Sequence, residues 1–198
     1  MDPQDVAIAI LAAGNARRFG SDKLMADLDG APLGVHAARQ MAQVDAVAHI
    51  AVCQPGTALS AHYAKLGYMI IENLRPDLGL SGSLHLAVAA AAAKSDAQAL
   101  LVALADMPFV MASHVKALIT ACEGEIIQSS DGSQSMPPAI FPRSAWPLLL
   151  DTTGDAGARQ ILLNAVTLAA PAGSLRDIDT QADLAASKAQ PLGIEPST

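Results

Sequence analysis

Four apolar runs punctuate the chain, at residues 6–11, 46–52, 68–71 and 100–105. Each is close to continuous instead of alternating apolar with polar positions, so each predicts a strand covered on both faces. The stretches between them carry helical signals. Pro32 opens a helix over 33–44, a second over 57–66 stops at Gly67, and an Ala-rich third runs over 81–93 with Ser81 as its cap. Pro55-Gly56 closes the second strand, and Pro76 with Gly79 marks 73–80 as a loop. After Cys122 the rhythm loosens. The Ser-rich stretch 128–135 reads as a flexible loop before a strand at 137–141, part of a small antiparallel excursion over the site. Helices are expected at 143–150 and 156–164, a last strand at 166–169, a short helix from Gln181 and a frayed tail after Ala189.

Buried strands that alternate with helices, in units of about 25 to 30 residues, are the pattern of parallel β-α-β crossovers. The expected fold class is α/β: a doubly wound three-layer α/β/α sandwich on a mostly parallel, Rossmann-like sheet. No repeat or linker divides the chain, so residues 1–198 are expected to form a single domain, with one half at about 5–122 and another at about 123–188.

Composition narrows the picture. Aromatic residues make up 3% of the chain and Trp146 is its one tryptophan, so the core must be built from Ala, Leu, Ile and Val. The formal net charge of −7 argues against a broad surface for DNA or RNA, whose affinity needs clustered Lys and Arg. A small anion is still served, because Arg17, Arg18 and Lys23 fall within one seven-residue stretch. Cys53 and Cys122 show neither metal-site nor disulfide spacing and read as free thiols. Asp2 and Asp5 precede an apolar run too short to span a bilayer and lacking a basic leader, so no export or membrane segment is expected and the cytoplasm is the expected location.

The chemistry concentrates where strands end. Leu11-Ala12-Ala13-Gly14 leaves the first strand and is followed by Arg18, Gly20 and Lys23. At the carboxyl edge of a parallel sheet, small residues let backbone N–H groups approach phosphate oxygens; Arg18 can grip them with a planar fork, and Lys23 adds a mobile charge. The spacing matches neither G-x-x-x-x-G-K-[ST] nor G-x-G-x-x-G, which disfavours a P-loop NTPase and a Rossmann-like dehydrogenase; a basic turn without a ligand is the plain alternative. Asp106 ends the fourth strand, placed either to hold Mg2+ against a triphosphate or to cap the helix after Pro108. In Asp177-Ile178-Asp179-Thr180, Asp179 is a second metal carboxylate, or it or Thr180 caps the last helix. Gly79, Ser81, Gly82 and Ser83 open a helix with amides and hydroxyls that suit a base edge or a simple tight N-cap. No histidine is assigned a catalytic role.

These residues resemble the nucleotidyltransferases of the molybdenum cofactor pathway, the MobA-like group, and most of all its cytidylyltransferases. The signature L-A-[AG]-G-x-x-x-R-[FM]-G-x-x-K is matched by Leu11, Ala12, Ala13, Gly14, Arg18, Phe19, Gly20 and Lys23. The resemblance continues through Gly79-Leu80-Ser81-Gly82-Ser83-Leu84, Ala105-Asp106-Met107-Pro108, Pro138-Ala139-Ile140-Phe141, Gly154-Asp155-Ala156-Gly157-Ala158-Arg159 and Asp177-Ile178-Asp179-Thr180. It implies a sheet of the nucleotide-diphospho-sugar transferase type and transfer of CMP from CTP to the terminal phosphate of molybdopterin, with release of pyrophosphate. It further implies Arg18 and Lys23 as catalytic groups, with the nucleotide held by Leu11, Ala12, Ala13, Gly14, Arg18, Lys23, Gly79, Ser81, Gly82, Ser83 and Asp106. The implied metal is Mg2+, with Mn2+ as the alternative, on Asp106 and Asp179. Pro138, Gly154, Asp155 and Arg159 fall on the acceptor side, in the second half of the chain, although Asp155 and Arg159 read equally well as a helix N-terminus. Ala13, in a place where the guanylyl branch carries Gly, and the G-D-x-G-A-R segment favour CTP over GTP. The implied partners are the nucleotide, molybdopterin and, transiently, a molybdoenzyme, with no nucleic acid and no membrane. The competing expectations are a guanylyltransferase using GTP on the same cofactor, an NTP transferase acting on a sugar or isoprenoid phosphate, and a nucleotide-binding accessory protein of a molybdoenzyme.

Overall fold

A computed structural model describes residues 1–14, 22–154 and 157–188 of the chain. In chain order the elements are β1 (Val6–Ala12), the short hairpin β2 (Asp27–Leu28) and β3 (Ala31–Pro32), α1 (Leu33–Met41), β4 (Ala48–Cys53), α2 (Leu59–Lys65) and β5 (Met69–Glu72). They continue with α3 (Gly79–Ala92), β6 (Ala99–Leu104), α4 (Ala112–Ala121), β7 (Ile127–Ser130), β8 (Ser135–Pro142), α5 (Trp146–Leu150), β9 (Val166–Ala169) and α6 (Gln181–Lys188). Seven strands form one sheet in the order β5-β4-β1-β6-β8-β7-β9, in which β8 alone runs antiparallel to its neighbours. No helix among the described residues is long and apolar enough to cross a membrane.

All of β1 is buried. Because side chains alternate along a strand, Val6, Ile8, Ile10 and Ala12 enter one core with α1, α2, α4 and α6, while Ala7, Ala9 and Leu11 enter a second core with α3 and α5. The two cores are the interfaces of the expected three-layer sandwich. From β1 the chain moves to β4 and β5 on one side, then returns through α3 to β6 on the other. Such a reversal leaves a crevice at the carboxyl ends of the two strands flanking it, here β1 and β6. The amide of Ala105 donates to the Leu11 carbonyl at 3.1 Å, which brings Asp106 beside the chain that leaves β1.

The Ser-rich stretch 128–135 departs from the expected flexible loop. It forms most of β7 and a tight turn, and β8 is not a covering excursion but a strand inside the main sheet. The polar side chains are satisfied within the chain. Buried Ser129 donates its hydroxyl to the Pro138 carbonyl at 2.7 Å and pairs with His114 Nε2 at 2.8 Å, while Asp131 Oδ1 accepts from the Ser133 and Gln134 amides at 2.8 and 2.9 Å. Burial holds the His114 ring below the ordinary histidine range, so it serves as a neutral partner here.

The helix expected over 156–164 is also absent from the described residues: turns lead into a 3-10 helix at Ile161–Asn164. Gly157 sits at φ +52°, outside the right-handed helical region, and β9 begins only two residues after Asn164. Ser81 does not cap α3, which starts earlier, at Gly79; its hydroxyl lies inside the first turn and donates to the Leu78 carbonyl at 3.0 Å. The tail after Ala189 lies outside the described residues.

Leu101→Ala, at a fully buried β6 position, is expected to lower the unfolding free energy by about 3 kcal/mol. Leu163→Ala, at a side chain 77% exposed, should cost less than about 0.5 kcal/mol. Urea titrations of both variants measure the difference, and equal losses would refute this division of core and surface.

Candidate active site at the carboxyl edge of the sheet

Lys23 opens a 3-10 turn (Lys23–Met25) and is only 8% exposed. Its ammonium donates to Asp106 Oδ2 and to Asp179 Oδ1, each at 2.8 Å, so groups 83 and 156 residues apart in sequence meet at one nitrogen. Asp106 is not a helix cap: α4 begins at Ala112 behind Met111, and no side chain caps it. The Asp106 carbonyl instead accepts the Ile178 amide at 3.0 Å, tying the two acidic segments together.

Asp179 is released from capping by its neighbour. The Asp183 amide donates to Thr180 Oγ1 at 3.1 Å, while Asp183 Oδ2 accepts from the Thr180 amide at 2.8 Å and its hydroxyl at 2.7 Å. This is a capping box with Asp in its last position, and it answers which residue starts α6. Asp179 is left facing Lys23.

Burial disfavours the Lys23 ammonium, but attraction from Asp106 and Asp179 outweighs it and raises the group above the ordinary lysine value. The Asp177 carboxyl is held above the usual carboxylate range, first by burial and then by repulsion from Asp179 and Asp106. One ammonium thus stands against three carboxylates among the described residues of this corner. Oδ1 of Asp106 is buried and has no hydrogen-bond partner among the described residues. No cluster of three or more His, Cys, Asp or Glu side chains among those residues is arranged to hold a metal. Two carboxylates with an idle buried oxygen fit a hard cation that takes its remaining oxygens from phosphates and water.

Above this corner, Leu11, Ala12 and Ala13 are buried, whereas Gly14 is exposed and its carbonyl accepts from Gln54 Nε2 at 3.2 Å. A Cβ on Gly14 would meet no atom within 4 Å among the described residues. Arg18, with Phe19 and Gly20, lies outside the described residues. At the start of α3 the hydroxyls already have partners: Ser81 binds the Leu78 carbonyl, and Ser83 accepts Asn73 Nδ2 at 3.0 Å. Gly82 has a packing reason, since a Cβ there would lie 2.9 Å from Leu78 Cβ. Gly79, at φ +69°, takes a left-handed turn that favours glycine.

The acceptor-side residues that the structure describes do not join the Lys23 cluster. Pro138 is buried in β8, with its carbonyl taken by Ser129. Gly154 and Arg159 are exposed, Asp155 lies outside the described residues, and the neighbouring Ala158, Ile161 and Leu162 pack on the α3 and α5 core. That segment adjoins the start of α3, where a Cβ on Gly157 would meet Leu80 Cδ2 at 2.8 Å. Sequence reasoning missed a cavity of about 210 Å³ on the other side of the sheet, lined by residues that include Gln134, Met136, Arg176 and Asp177. Arg176, whose guanidinium lies 4.6 Å from the Phe109 ring centroid, carried a usable signal: it directly precedes the acidic Asp177-Ile178-Asp179 motif.

With this geometry in hand, comparison with known proteins is informative. Residues 8–169 match the family model described as a MobA-like NTP transferase domain. The chain is 31% identical over 166 residues to a molybdenum cofactor guanylyltransferase of Shewanella loihica, covering 81% of this chain and 80% of that protein. It is 28% identical over 189 residues to the purine catabolism protein PucB of Bacillus subtilis, covering 86% of this chain and 89% of that protein. Among solved structures, Rv0371c of Mycobacterium tuberculosis superposes with a TM-score of 0.76 at 21% identity, over 96% of this chain and 100% of that one. The same protein has been solved in complex with manganese, with a TM-score of 0.74 at 20% identity, over 93% of this chain and 98% of that one. These structures share the fold.

Thr180→Ala removes the cap of α6 and is expected to lower stability by about 1 kcal/mol, read as a shift in the urea midpoint. For Lys23 the sign follows from its raised value: its stabilisation is complete below the ordinary lysine value and is lost as pH climbs through the folded one. The stability gap between wild type and Lys23→Met should therefore be widest near neutrality and narrow above pH 10.5. A gap that stays constant through the alkaline range would show that the ion pairs do not stabilise the fold.

Proposed function

The chain belongs to the MobA-like NTP transferase domain family and is a nucleotidyltransferase, and from that premise we propose that it transfers the nucleotidyl group of a nucleoside triphosphate to the terminal phosphate of molybdopterin. The supporting observation is the meeting of Lys23, Asp106 and Asp179 at the crevice beside β1. In this reaction an acceptor phosphate oxygen bonds to the α-phosphorus, the α–β phosphoanhydride bond breaks, and its electron pair leaves with pyrophosphate. The attacking phosphate monoester is already ionised near neutral pH and needs no strong general base, in keeping with the absence of an assigned histidine.

The chain's work is then to position reactants and balance charge. Backbone amides around Ala12, Ala13 and Gly14 face the triphosphate, and Arg18 and Lys23 neutralise it. Asp106 and Asp179 would hold Mg2+ or Mn2+, which when bound supplies charge stabilisation along the phosphate oxygens. Base recognition at the start of α3 draws on backbone groups and on what the Ser81 and Ser83 hydroxyls have left, since Ser81 donates to Leu78 but can still accept and Ser83 accepts from Asn73 but can still donate. Pro138, Gly154, Asp155 and Arg159 remain the acceptor-side proposal, to which the cavity by Arg176 adds a second candidate.

Each base has an observation in its favour. Ala13 and the 154–159 segment favour CTP, and the relative named a guanylyltransferase favours GTP. We favour GTP, because identity along four-fifths of the chain outweighs two short motifs. Handover of the product to a molybdoenzyme belongs to the same reading.

The decisive assay is pyrophosphate release with Mg2+ and molybdopterin, run in parallel with GTP and CTP. Release with GTP alone supports the guanylyl reading, release with CTP alone moves the protein to the cytidylyl branch, and silence with both from folded protein removes molybdopterin as acceptor. Lys23→Ala and Asp106→Ala are each expected to reduce turnover at least about tenfold, or roughly 1.4 kcal/mol in the barrier. Gly14→Val should change stability by less than about 0.5 kcal/mol, because a Cβ there meets no atom within 4 Å among the described residues, yet raise KM for the nucleotide. An unchanged KM would take Gly14 out of the phosphate site.

A further inference from the structure

We propose that Lys23 occupies the metal position in the nucleotide-free protein, so that the divalent cation enters as a complex with the triphosphate, whose oxygens draw the ammonium away. The inference rests on the nucleotidyl transfer reading of this site.

Asp106 Oδ2 and Asp179 Oδ1 each accept from the Lys23 ammonium at 2.8 Å, so the two oxygens share one cation. A Mg2+ or Mn2+ ion shared by the same two oxygens would need roughly 2.1 Å to each, so the carboxylates would have to draw in by several tenths of an ångström around an ion that replaces the nitrogen. The two cations cannot both be there, since charges of the same sign a few ångströms apart in a partly buried site repel strongly. A bare metal ion must therefore evict the ammonium.

Eviction without a replacement anion is unfavourable. Lys23 is 8% exposed, and both of its hydrogen-bond partners among the described residues are the carboxylates the metal would take. A buried ammonium that loses its anions carries a desolvation penalty with no return. A metal–triphosphate complex changes the exchange, because its phosphate oxygens accept the ammonium at the moment the carboxylates accept the metal. The flexible four-carbon stem of lysine allows the nitrogen to swing without moving the backbone, a motion that a planar guanidinium anchored by two oxygens would make less easily.

A second observation agrees. Asp106 Oδ1 is buried and without a partner among the described residues, so the lysine satisfies only part of this carboxylate. The lysine fills the position without saturating it, as expected of an occupant that is to be replaced. The same exchange, run backwards, returns the ammonium to the carboxylates when pyrophosphate and metal depart.

The test is a titration of Mn2+, with the free ion read by electron paramagnetic resonance, against wild type, Lys23→Met and Lys23→Gln. Each is measured alone and with a non-hydrolysable triphosphate analogue whose own affinity for Mn2+ is set by a protein-free control. Wild type alone is expected to bind Mn2+ at least about tenfold more weakly than either variant alone, and the analogue should tighten Mn2+ on wild type by at least as much. Equal Mn2+ affinity of wild type and both variants without nucleotide would overturn the inference. The wild-type comparison with and without analogue stands even if both variants unfold, and no tightening there would also overturn it. Retention of the analogue, followed separately by equilibrium dialysis, reports on the transferase reading: a protein that retains the analogue but shows no manganese difference keeps its proposed function and loses the lysine exchange.

Discussion

The constraint on which the rest depends is that β1 has no face in contact with water. Seven consecutive buried residues demand a helical layer on each side, and only crossover connections can deliver helices to both faces of neighbouring parallel strands. Once that is so, the chain must leave β1 toward one side of the sheet and later return to the other. The crevice at the ends of β1 and β6 is the geometric residue of this reversal. Small side chains shape it: Ala7, Ala9 and Ala12 keep the helices close, and the run Ala12-Ala13-Gly14 brings no large side chain of its own to the mouth of the crevice.

Charge is admitted to this corner only where it can be answered. Lys23 enters because two carboxylates receive it, and those carboxylates lie side by side because a cation separates them. This mutual dependence makes the corner responsive to what binds there. Several buried polar groups elsewhere close in small sets, as in Ser129 with His114 and the Pro138 carbonyl, or Asn73 with Ser83 and the Arg75 amide. Closed sets of that kind hold segments in register without inviting a ligand.

How much of this was legible in the sequence depended on whether the signal was local. The apolar runs became β1, β4, β5 and β6 because continuous burial writes itself into consecutive residues. The last strand and the helix from Gln181 were equally plain, the second because a threonine three residues ahead of an aspartate is a self-contained cap. β7 was hidden because its serines look like a loop until their partners arrive from α4 and β8, far along the chain. In the same way, Asp106 and Asp179 each allowed two readings, since the cation that both face is Lys23, which lies 83 and 156 residues away in sequence. The cavity by Arg176 was invisible for a different reason: a void is a property of how segments meet and leaves no pattern in any one of them.

The charged corner also says something about the order in which the molecule becomes whole. Its three principal groups stand at positions 23, 106 and 179, near the start, the middle and the end of the described chain. During synthesis the first two have left the ribosome long before the third, and in that interval an ammonium and a single carboxylate face each other beside an incomplete sheet. Only when the segment carrying Asp179 and its capped helix docks does the trio close. A chain lacking that segment would leave Lys23 with Asp106 and without its second carboxylate, so the corner is a late product of the fold and not of any one stretch of sequence.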